Sequence, residues 1–180
     1  MAEALQLIYA PNVIFRIKAE LVEVVNDEIR LLADRMIKTL QAEGAVGLAA
    51  NMVGISKRIA IVSANPSENL SFLVLINPEI VWVSKEHQSF KEASLCFPGI
   101  SAKISRPKAI KVKYIDYNGN SKELEAEGFL ATIIQHKVDY LDGKIYLDYL
   151  SKLKADTLLK KMQKHVKQHP PHIHSSHCRH

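Results

Sequence analysis

The sequence predicts an α+β fold, in which helical and strand-forming segments occupy separate stretches of the chain. A helical apolar period lies near the amino terminus, a central block is rich in β-branched and aromatic residues, and helical periods return near the carboxyl terminus. With 180 residues and 47% hydrophobic content, the chain suits one domain with a sizeable core. We assign this domain to residues 1–168.

The first helix is predicted between Asn26 and Gly44. Asn26 can accept a hydrogen bond from the first turn of a helix, and Gly44 can end it in a left-handed conformation. Apolar residues recur at helical spacing between these two positions: Ile29, Leu32, Met36, Ile37 and Leu40.

The central strands are predicted at residues 57–64 and 71–84, which are rich in β-branched and aromatic side chains. Residues 108–128 alternate around Asn118-Gly119, a strong signal for a β-hairpin.

Two helices are predicted after the hairpin. Residues 129–143 are so apolar that this helix should be largely buried, whereas residues 151–168 show an amphipathic pattern. The His-rich tail, 169–180, lacks periodicity, and we expect it to be disordered. Its histidines either remain solvated or bind metal adventitiously.

Composition excludes several classes of protein. No run of about 18 apolar residues suggests a membrane span, and the amino terminus lacks a secretory signal pattern. Cys96 and Cys178 are too few and too distant to suggest a disulfide scaffold, so we expect a cytoplasmic protein. The net charge of +5 permits an anionic partner without requiring one.

Three short segments carry a family resemblance: "GAVGLAANMVG" at 44–54, "EASLCFPG" at 92–99 and "QHKVDYLDG" at 135–143. In order and spacing they resemble the peptide deformylase motifs G-x-G-L-A-A-x-Q, E-G-C-L-S and Q-H-E-x-D-H. The resemblance extends over roughly residues 8–165. It implies antiparallel sheets around a buried helix, with further helices at the amino-terminal and carboxyl-terminal ends.

The resemblance also implies a chemistry, namely removal of the formyl group from N-formylmethionyl peptides. In the family, one Cys and two His hold iron or zinc, which acidifies a water molecule. The Glu of the third motif moves the proton, while a Gln side chain and the backbone N–H of the Leu in the second motif stabilise the oxyanion.

Most of these reactive positions are altered here. The three metal-position equivalents are Ser94, His136 and Tyr140, so only His136 matches a family ligand. A neutral hydroxyl is a far poorer ligand for zinc or iron than a thiolate. We therefore expect no bound metal; the alternative is one Fe²⁺ or Zn²⁺ in an altered site, for which Cys96 with His136 and Tyr140 is one conceivable set.

The proton-transfer and oxyanion positions are altered as well. Lys137 replaces the general base, and Met52 replaces the oxyanion Gln, leaving only the backbone N–H of Leu95. The plain interpretations are that His136 is a hydrogen-bonded core residue, that Met52 fills space, and that Lys137 extends from the cleft into water.

Residues that would support the scaffold are retained. Glu92, Arg106 and Asp139 stand where the family has charged residues, and we expect them to form a buried charge network. Ala45 and Ala93 replace glycines of the motifs. A ligand cleft is expected at Val46, Gly47, Leu48, Leu95 and Ile133.

Two functions remain open at this point. One is a pseudoenzyme that lacks deformylase activity and binds a peptide N-terminus or the ribosome; the other is a hydrolase with an altered metal site. The segment 152–167 is rich in lysine. In the bacterial deformylases that this chain resembles, the terminal helix docks the enzyme on the ribosome, and polybasic helices bind RNA phosphates. Alternatively, this helix is solvated on its basic face and packs its leucines inward.

Overall fold

The computed structural model describes residues 2–65 and 71–171 of the chain. Within these ranges the α-helices are α1 (Asp27–Glu43), α2 (Gly128–Leu141) and α3 (Lys152–Gln168). The strands are β1 (Gly47–Ala49), β2 (Ile59–Ser63), β3 (Phe72–Val83), β4 (His87–Ser94), β5 (Phe97–Pro107), β6 (Ala109–Ile115) and β7 (Ser121–Glu127). The α+β prediction is therefore confirmed.

The strands form two antiparallel sheets. The larger sheet has the order β1-β2-β3-β6-β7, and the smaller sheet pairs β4 with β5. Helix α2 contacts strands of both sheets, so it lies at the centre of the fold. The expected arrangement of antiparallel sheets around a buried helix is confirmed.

Helix α1 begins and ends where the sequence predicts. The Asn26 side chain accepts a hydrogen bond from the backbone N–H of Ile29, and Gly44 ends the helix with a φ of 61°. Glycine is favoured there because a left-handed conformation costs other residues free energy. Both predicted boundaries are confirmed.

The predicted hairpin is present as β6 and β7, but its loop is longer than a two-residue turn. Asp116 accepts hydrogen bonds from the backbone N–H groups of Asn118 and Asn120, and Gly119 has a φ of 85°. The Asp116 carboxylate therefore organises a loop around the Asn-Gly pair.

The β4–β5 hairpin was not predicted. Its first strand carries polar residues such as His87, Gln88 and Lys91, and its side chains alternate between partly and fully exposed positions over most of its length. Such a strand has little intrinsic β-propensity, so pairing with β5 decides its conformation. Leu95 and Cys96 form the turn between the two strands.

Helix α3 packs against β5 through a narrow apolar stripe in which Met162 is fully buried. The helix ends at Gln168, at the predicted boundary of the domain. Most of the predicted tail, from residue 172 onward, lies outside the described residues. In the described part of the chain, no helix is long and apolar enough to cross a membrane.

Candidate functional site

The three motif segments converge on one cleft. The Lys137 Nζ atom on α2 lies 3.7 Å from Met52 Sδ of the first segment. The hydroxyl of Tyr140, also on α2, lies 2.5 Å from the hydroxyl of Ser94 in the second segment. A cavity of about 220 Å³ opens beside them. It is lined by Ala45, Val46, Gly47, Phe90, Lys91, Glu92, Ala93, Ser94, Leu95, Phe129, Thr132, Ile133, His136 and Lys137.

Four of the five expected cleft residues line this cavity, but Leu48 does not. Leu48 is fully buried and belongs to the hydrophobic core. Consecutive residues of a strand point to opposite faces, so Gly47 and Leu48 of β1 cannot both face the cleft. Leu48 is therefore reassigned from the cleft to the core.

Glu92, Arg106 and Asp139 form a compact charge network beside the cavity. Arg106 donates two hydrogen bonds to Glu92, at 2.7 and 2.9 Å, and one to Asp139 at 2.8 Å. Burial alone would lower the pKa of Arg106, but these two carboxylates outweigh it and raise that pKa. The arginine therefore stays charged although its side chain is almost fully buried.

His136 is linked to the charge network through one ring nitrogen. Its Nδ1 atom lies 3.2 Å from a Glu92 carboxylate oxygen, so Nδ1 donates and Nε2 carries the lone pair. Burial, reinforced by the charge of Lys137, lowers the pKa of His136 to about 4. Among the described residues, Nε2 is buried and has no hydrogen-bond partner. His136 is thus a neutral side chain with one unused acceptor.

Ser94 and Tyr140 are hydrogen-bonded to each other. Their hydroxyl oxygens lie 2.5 Å apart, and the backbone N–H of Cys96 donates to the Ser94 oxygen at 3.3 Å. Burial raises the pKa of Tyr140 well above its usual value, so its oxygen stays protonated. The Tyr140 ring stacks on His136, with centroids 5.4 Å apart. Two expected ligand positions therefore hold neutral hydroxyls that satisfy each other.

Lys137 is buried, which overturns the expectation that its ammonium extends into water. The residue is only 5% exposed, and no described carboxylate lies within salt-bridge distance of Nζ. Burial lowers the pKa of Lys137 to about 8. A Cβ atom on Gly47 would lie 2.7 Å from Lys137 Cε, so the glycine leaves the space through which the lysine passes.

Cys96 is a buried free thiol. Its Sγ atom points toward the carbonyl oxygen of Met52 at 3.8 Å, and burial raises the pKa of the thiol to about 12. The thiolate is the form that binds metals, so a protonated Cys96 is a weak ligand.

These donors do not fit a zinc or iron site of the family type. His136 offers one neutral nitrogen, but Ser94 and Tyr140 offer only protonated hydroxyls, and the Lys137 cation lies beside them. No group of three His, Cys, Asp or Glu suited to a metal occurs within residues 2–65 and 71–171. Metal binding would require breaking the Ser94–Tyr140 hydrogen bond and displacing the Lys137 ammonium at the same time.

Two further side chains near the cleft were not predicted from the sequence as site residues. Tyr149 donates a hydrogen bond to Asp139 at 2.7 Å, and the Arg106 guanidinium lies 4.6 Å from its ring centre. Asn51 donates to the backbone carbonyl of Tyr140 at 2.6 Å and thereby ties the first motif to α2. Tyr149 lies outside the three motifs, whereas Asn51 lies inside the first motif and its amide could have been considered.

Comparisons with known proteins agree with this geometry. The sequence profile of the polypeptide deformylase family matches residues 4–156. A peptide deformylase-like protein of Rickettsia conorii is 61% identical over 175 residues, covering 97% of this chain and 96% of the relative. A peptide deformylase of Bartonella tribocorum is 39% identical over 165 residues, with 90% and 93% coverage.

The same relationship holds in three dimensions. The crystal structure of peptide deformylase from Ehrlichia chaffeensis superposes with a TM-score of 0.87 at 36% identity, covering 92% of this chain and 98% of that chain. The profile match, the sequence identity and the superposition all extend over most of the chain. The chain therefore belongs to the peptide deformylase family.

Proposed function

We propose that this chain is a deformylase-family protein that holds no catalytic metal and does not remove formyl groups. The observation that carries the proposal is the Ser94–Tyr140 hydrogen bond at two of the three ligand positions. A site occupied by this pair, beside the ammonium of Lys137, has neither the ligands nor the charge to hold a divalent cation.

The residues at the remaining catalytic positions also argue against deformylase activity. A lysine ammonium at residue 137 cannot accept a proton from water, and the loss of a general base typically costs about 10²–10⁴ in rate. The Met52 thioether donates no hydrogen bond to an oxyanion, which typically costs about a further 10²–10³. The cleft itself remains open at about 220 Å³, so ligand binding is the function that it retains.

Metal analysis tests this proposal directly. The full chain and a chain ending at Gln168 should both be measured, because the His-rich tail can bind metal by itself. We expect no stoichiometric iron or zinc in the shorter chain, and no turnover of a formyl-methionyl peptide. One tightly bound ion per chain that is lost in His136→Ala would overturn the proposal.

A second candidate is a deformylase with an altered metal site. The unpartnered Nε2 atom of neutral His136 favours it, since this is the form in which histidine ligates metals. It requires Cys96 or Tyr140 to lose a proton from a buried site. The same metal analysis, combined with a deformylase assay on the metal-loaded chain, separates the two candidates.

Helix α3 supports a role near the ribosome, which would place the protein in the cytoplasm. All its lysines are exposed: Lys152, Lys154, Lys160, Lys161, Lys164 and Lys167. In the described structure only Lys152 has an ion-pair partner on the helix, Asp156. A surface of unpaired lysines binds RNA phosphates by releasing counterions.

Ribosome cosedimentation at increasing salt tests this role. Changing Lys160, Lys161 and Lys164 to Glu should abolish an association that otherwise weakens steeply with salt. A variant with Lys103, Lys122 and Lys144 changed to Glu carries the same charge change elsewhere on the exposed surface and should still bind. Equal loss in both variants would show that net charge, rather than α3, drives the association.

A further inference from the structure

Two histidines lie one turn apart at the carboxyl end of α3, outside the cleft. His165 is half-buried, whereas His169, which follows the last residue of the helix, is exposed. The backbone N–H of His169 donates to the carbonyl oxygen of His165 at 2.8 Å, which is the hydrogen bond of a regular α-helical turn. Because residues four positions apart share one face of a helix, both side chains extend to the same side of α3.

The imidazole rings of His165 and His169 stack on each other. Their centroids are 4.8 Å apart and their planes differ by 28°. When two imidazoles bind one tetrahedral Zn²⁺ ion at about 2.0–2.1 Å from each nitrogen, their ring centres lie about 5 Å apart. The spacing of the two rings therefore matches that of two ligands of one ion, and rotation of the exposed His169 side chain can direct both nitrogens at it.

Strand β5 holds the His165 ring in place through Gly99. A Cβ atom on Gly99 would lie 2.3 Å from His165 Cγ, and the next nearest ring atoms are Cδ2 and Nδ1. Any side chain at this position would have to displace the ring, and the φ of 77° at Gly99 also favours glycine. Nε2 is farther from Gly99 than these three atoms, so the packing orders the ring and leaves its outer nitrogen for a ligand. A ligating side chain that is already ordered loses less entropy on binding.

The electrostatics of the helix end favour a cation at this place. The last carbonyl groups of a helix lack intrahelical partners and carry partial negative charge, and Pro170 and Pro171 have no N–H to offer them. Lys164 and Lys167 carry like charge, but residues one or two positions from a histidine lie on other sides of the helix. Lys161 shares the face of His165 one turn earlier. All three lysines are exposed, so water and salt screen their charges.

We propose that His165 and His169 bind a divalent transition-metal ion such as Zn²⁺ where α3 meets β5. Imidazole nitrogen suits zinc, copper and nickel, whereas Mg²⁺ and Ca²⁺ take oxygen ligands. The two histidines supply two of the ligands, and water completes the coordination shell. An ion bound by the folded helix end and not by the unfolded chain stabilises the packing of α3 on β5 by mass action. The site lies outside the cleft and goes beyond the proposed function.

Calorimetric titration of the metal-stripped full chain with Zn²⁺ tests the proposal. Histidines of the tail can bind metal by themselves, so the titration is repeated on a tail-substituted chain of the same length. This chain carries serine in place of His172, His174, His177, Cys178 and His180. We expect the tail-substituted chain to bind one Zn²⁺ ion and to bind Mg²⁺ at least about tenfold more weakly, a difference of about 1.4 kcal/mol.

Single substitutions in the tail-substituted chain locate the ion. His165→Ala and His169→Ala should each weaken Zn²⁺ binding at least about tenfold, a loss of about 1.4 kcal/mol. His87→Ala is the matched control, because it removes an exposed histidine of β4, and it should leave the affinity unchanged. His169 is exposed, so its variant tests the site even if His165→Ala loosens the packing on Gly99. The NMR signals of the two rings should shift during the titration, whereas those of the His87 ring should not.

The outcomes separate this inference from the proposed function. Zn²⁺ binding that requires the native tail, or that is as tight in His169→Ala as in the tail-substituted chain, overturns the helix site and leaves the proposed function standing. Binding that is lost in His136→Ala but retained in His169→Ala overturns both.

Discussion

Two neighbouring regions of this protein handle buried charge in opposite ways. In the Glu92–Arg106–Asp139 network each charge is paired through hydrogen bonds of 2.7 to 2.9 Å. In the adjacent cleft, Lys137 is equally buried but has only a thioether for an acceptor within the described structure. His136 connects the two regions, since Nδ1 bonds to the network and Nε2 is left unpartnered.

The difference suggests a distinct test of stability for each part of the family's site. Breaking a paired buried charge leaves its partners exposed to a low dielectric, so the network cannot lose one member cheaply. Met52, Ser94, Lys137 and Tyr140 differ from the family motifs, and the backbone still adopts the family fold.

The largest effect is expected from restoring the chemistry on the existing scaffold. Met52→Gln, Ser94→Cys, Lys137→Glu and Tyr140→His, together with Ala45→Gly and Ala93→Gly, should recover stoichiometric metal and slow turnover of a formyl-methionyl peptide. The expected gain in rate is on the order of 10² or more over the native chain, while single changes do almost nothing because these groups act as a unit. Metal analysis and a deformylase assay measure it. A repaired chain that folds without binding metal would show that the three motifs do not form one eroded active site.

Breaking the network should give the next largest effect. Arg106→Met leaves the buried Glu92 and the partly buried Asp139 without their cation, and we expect a loss of about 3–5 kcal/mol in the free energy of unfolding. Arg30→Met removes an exposed ion pair with Asp27 and should cost about 1 kcal/mol or less. Denaturant unfolding measures both. Equal losses would mean that the network contributes no more than a surface ion pair.

Removing the unpaired charge of Lys137 should raise the free energy of unfolding. Lys137→Met eliminates a buried ammonium whose pKa is lowered from 10.5 to about 8, so stability should rise by up to about 3 kcal/mol at pH 7. The unfolded state binds more protons than the folded state between these two pH values. The advantage of the variant is therefore full below pH 8 and shrinks as the pH rises toward 10.5. Thermal unfolding across this range measures it, and a destabilised variant would contradict the assignment.

The smallest effect is expected from breaking the hydrogen bond between the hydroxyls of Ser94 and Tyr140. Ser94→Ala leaves the buried Tyr140 hydroxyl without its partner, which should cost about 1–3 kcal/mol in the free energy of unfolding. The double variant Ser94→Ala with Tyr140→Phe removes both hydroxyls and should recover most of that loss. If the double variant is as unstable as the sum of the single ones, the two hydroxyls do not stabilise each other.

The sequence alone determined the elements whose pattern is local. The cap at Asn26, the stop at Gly44 and the apolar run of α2 are readable because helix ends and buried helices have side-chain signatures within a few residues. The charge network was predictable in kind because Glu92, Arg106 and Asp139 stand where the family has charged residues. The retained motifs indicated the family.

Tertiary packing decided what the local pattern could not show. The sequence places Lys137 on α2, but whether its ammonium reaches water depends on β1, where Gly47 leaves the lysine a buried path toward Met52. The Ser94–Tyr140 pair joins residues 46 positions apart, and β4 forms because β5 pairs with it. These features depend on contacts between distant segments, which fix solvent access and hydrogen-bond partners only after the chain has folded.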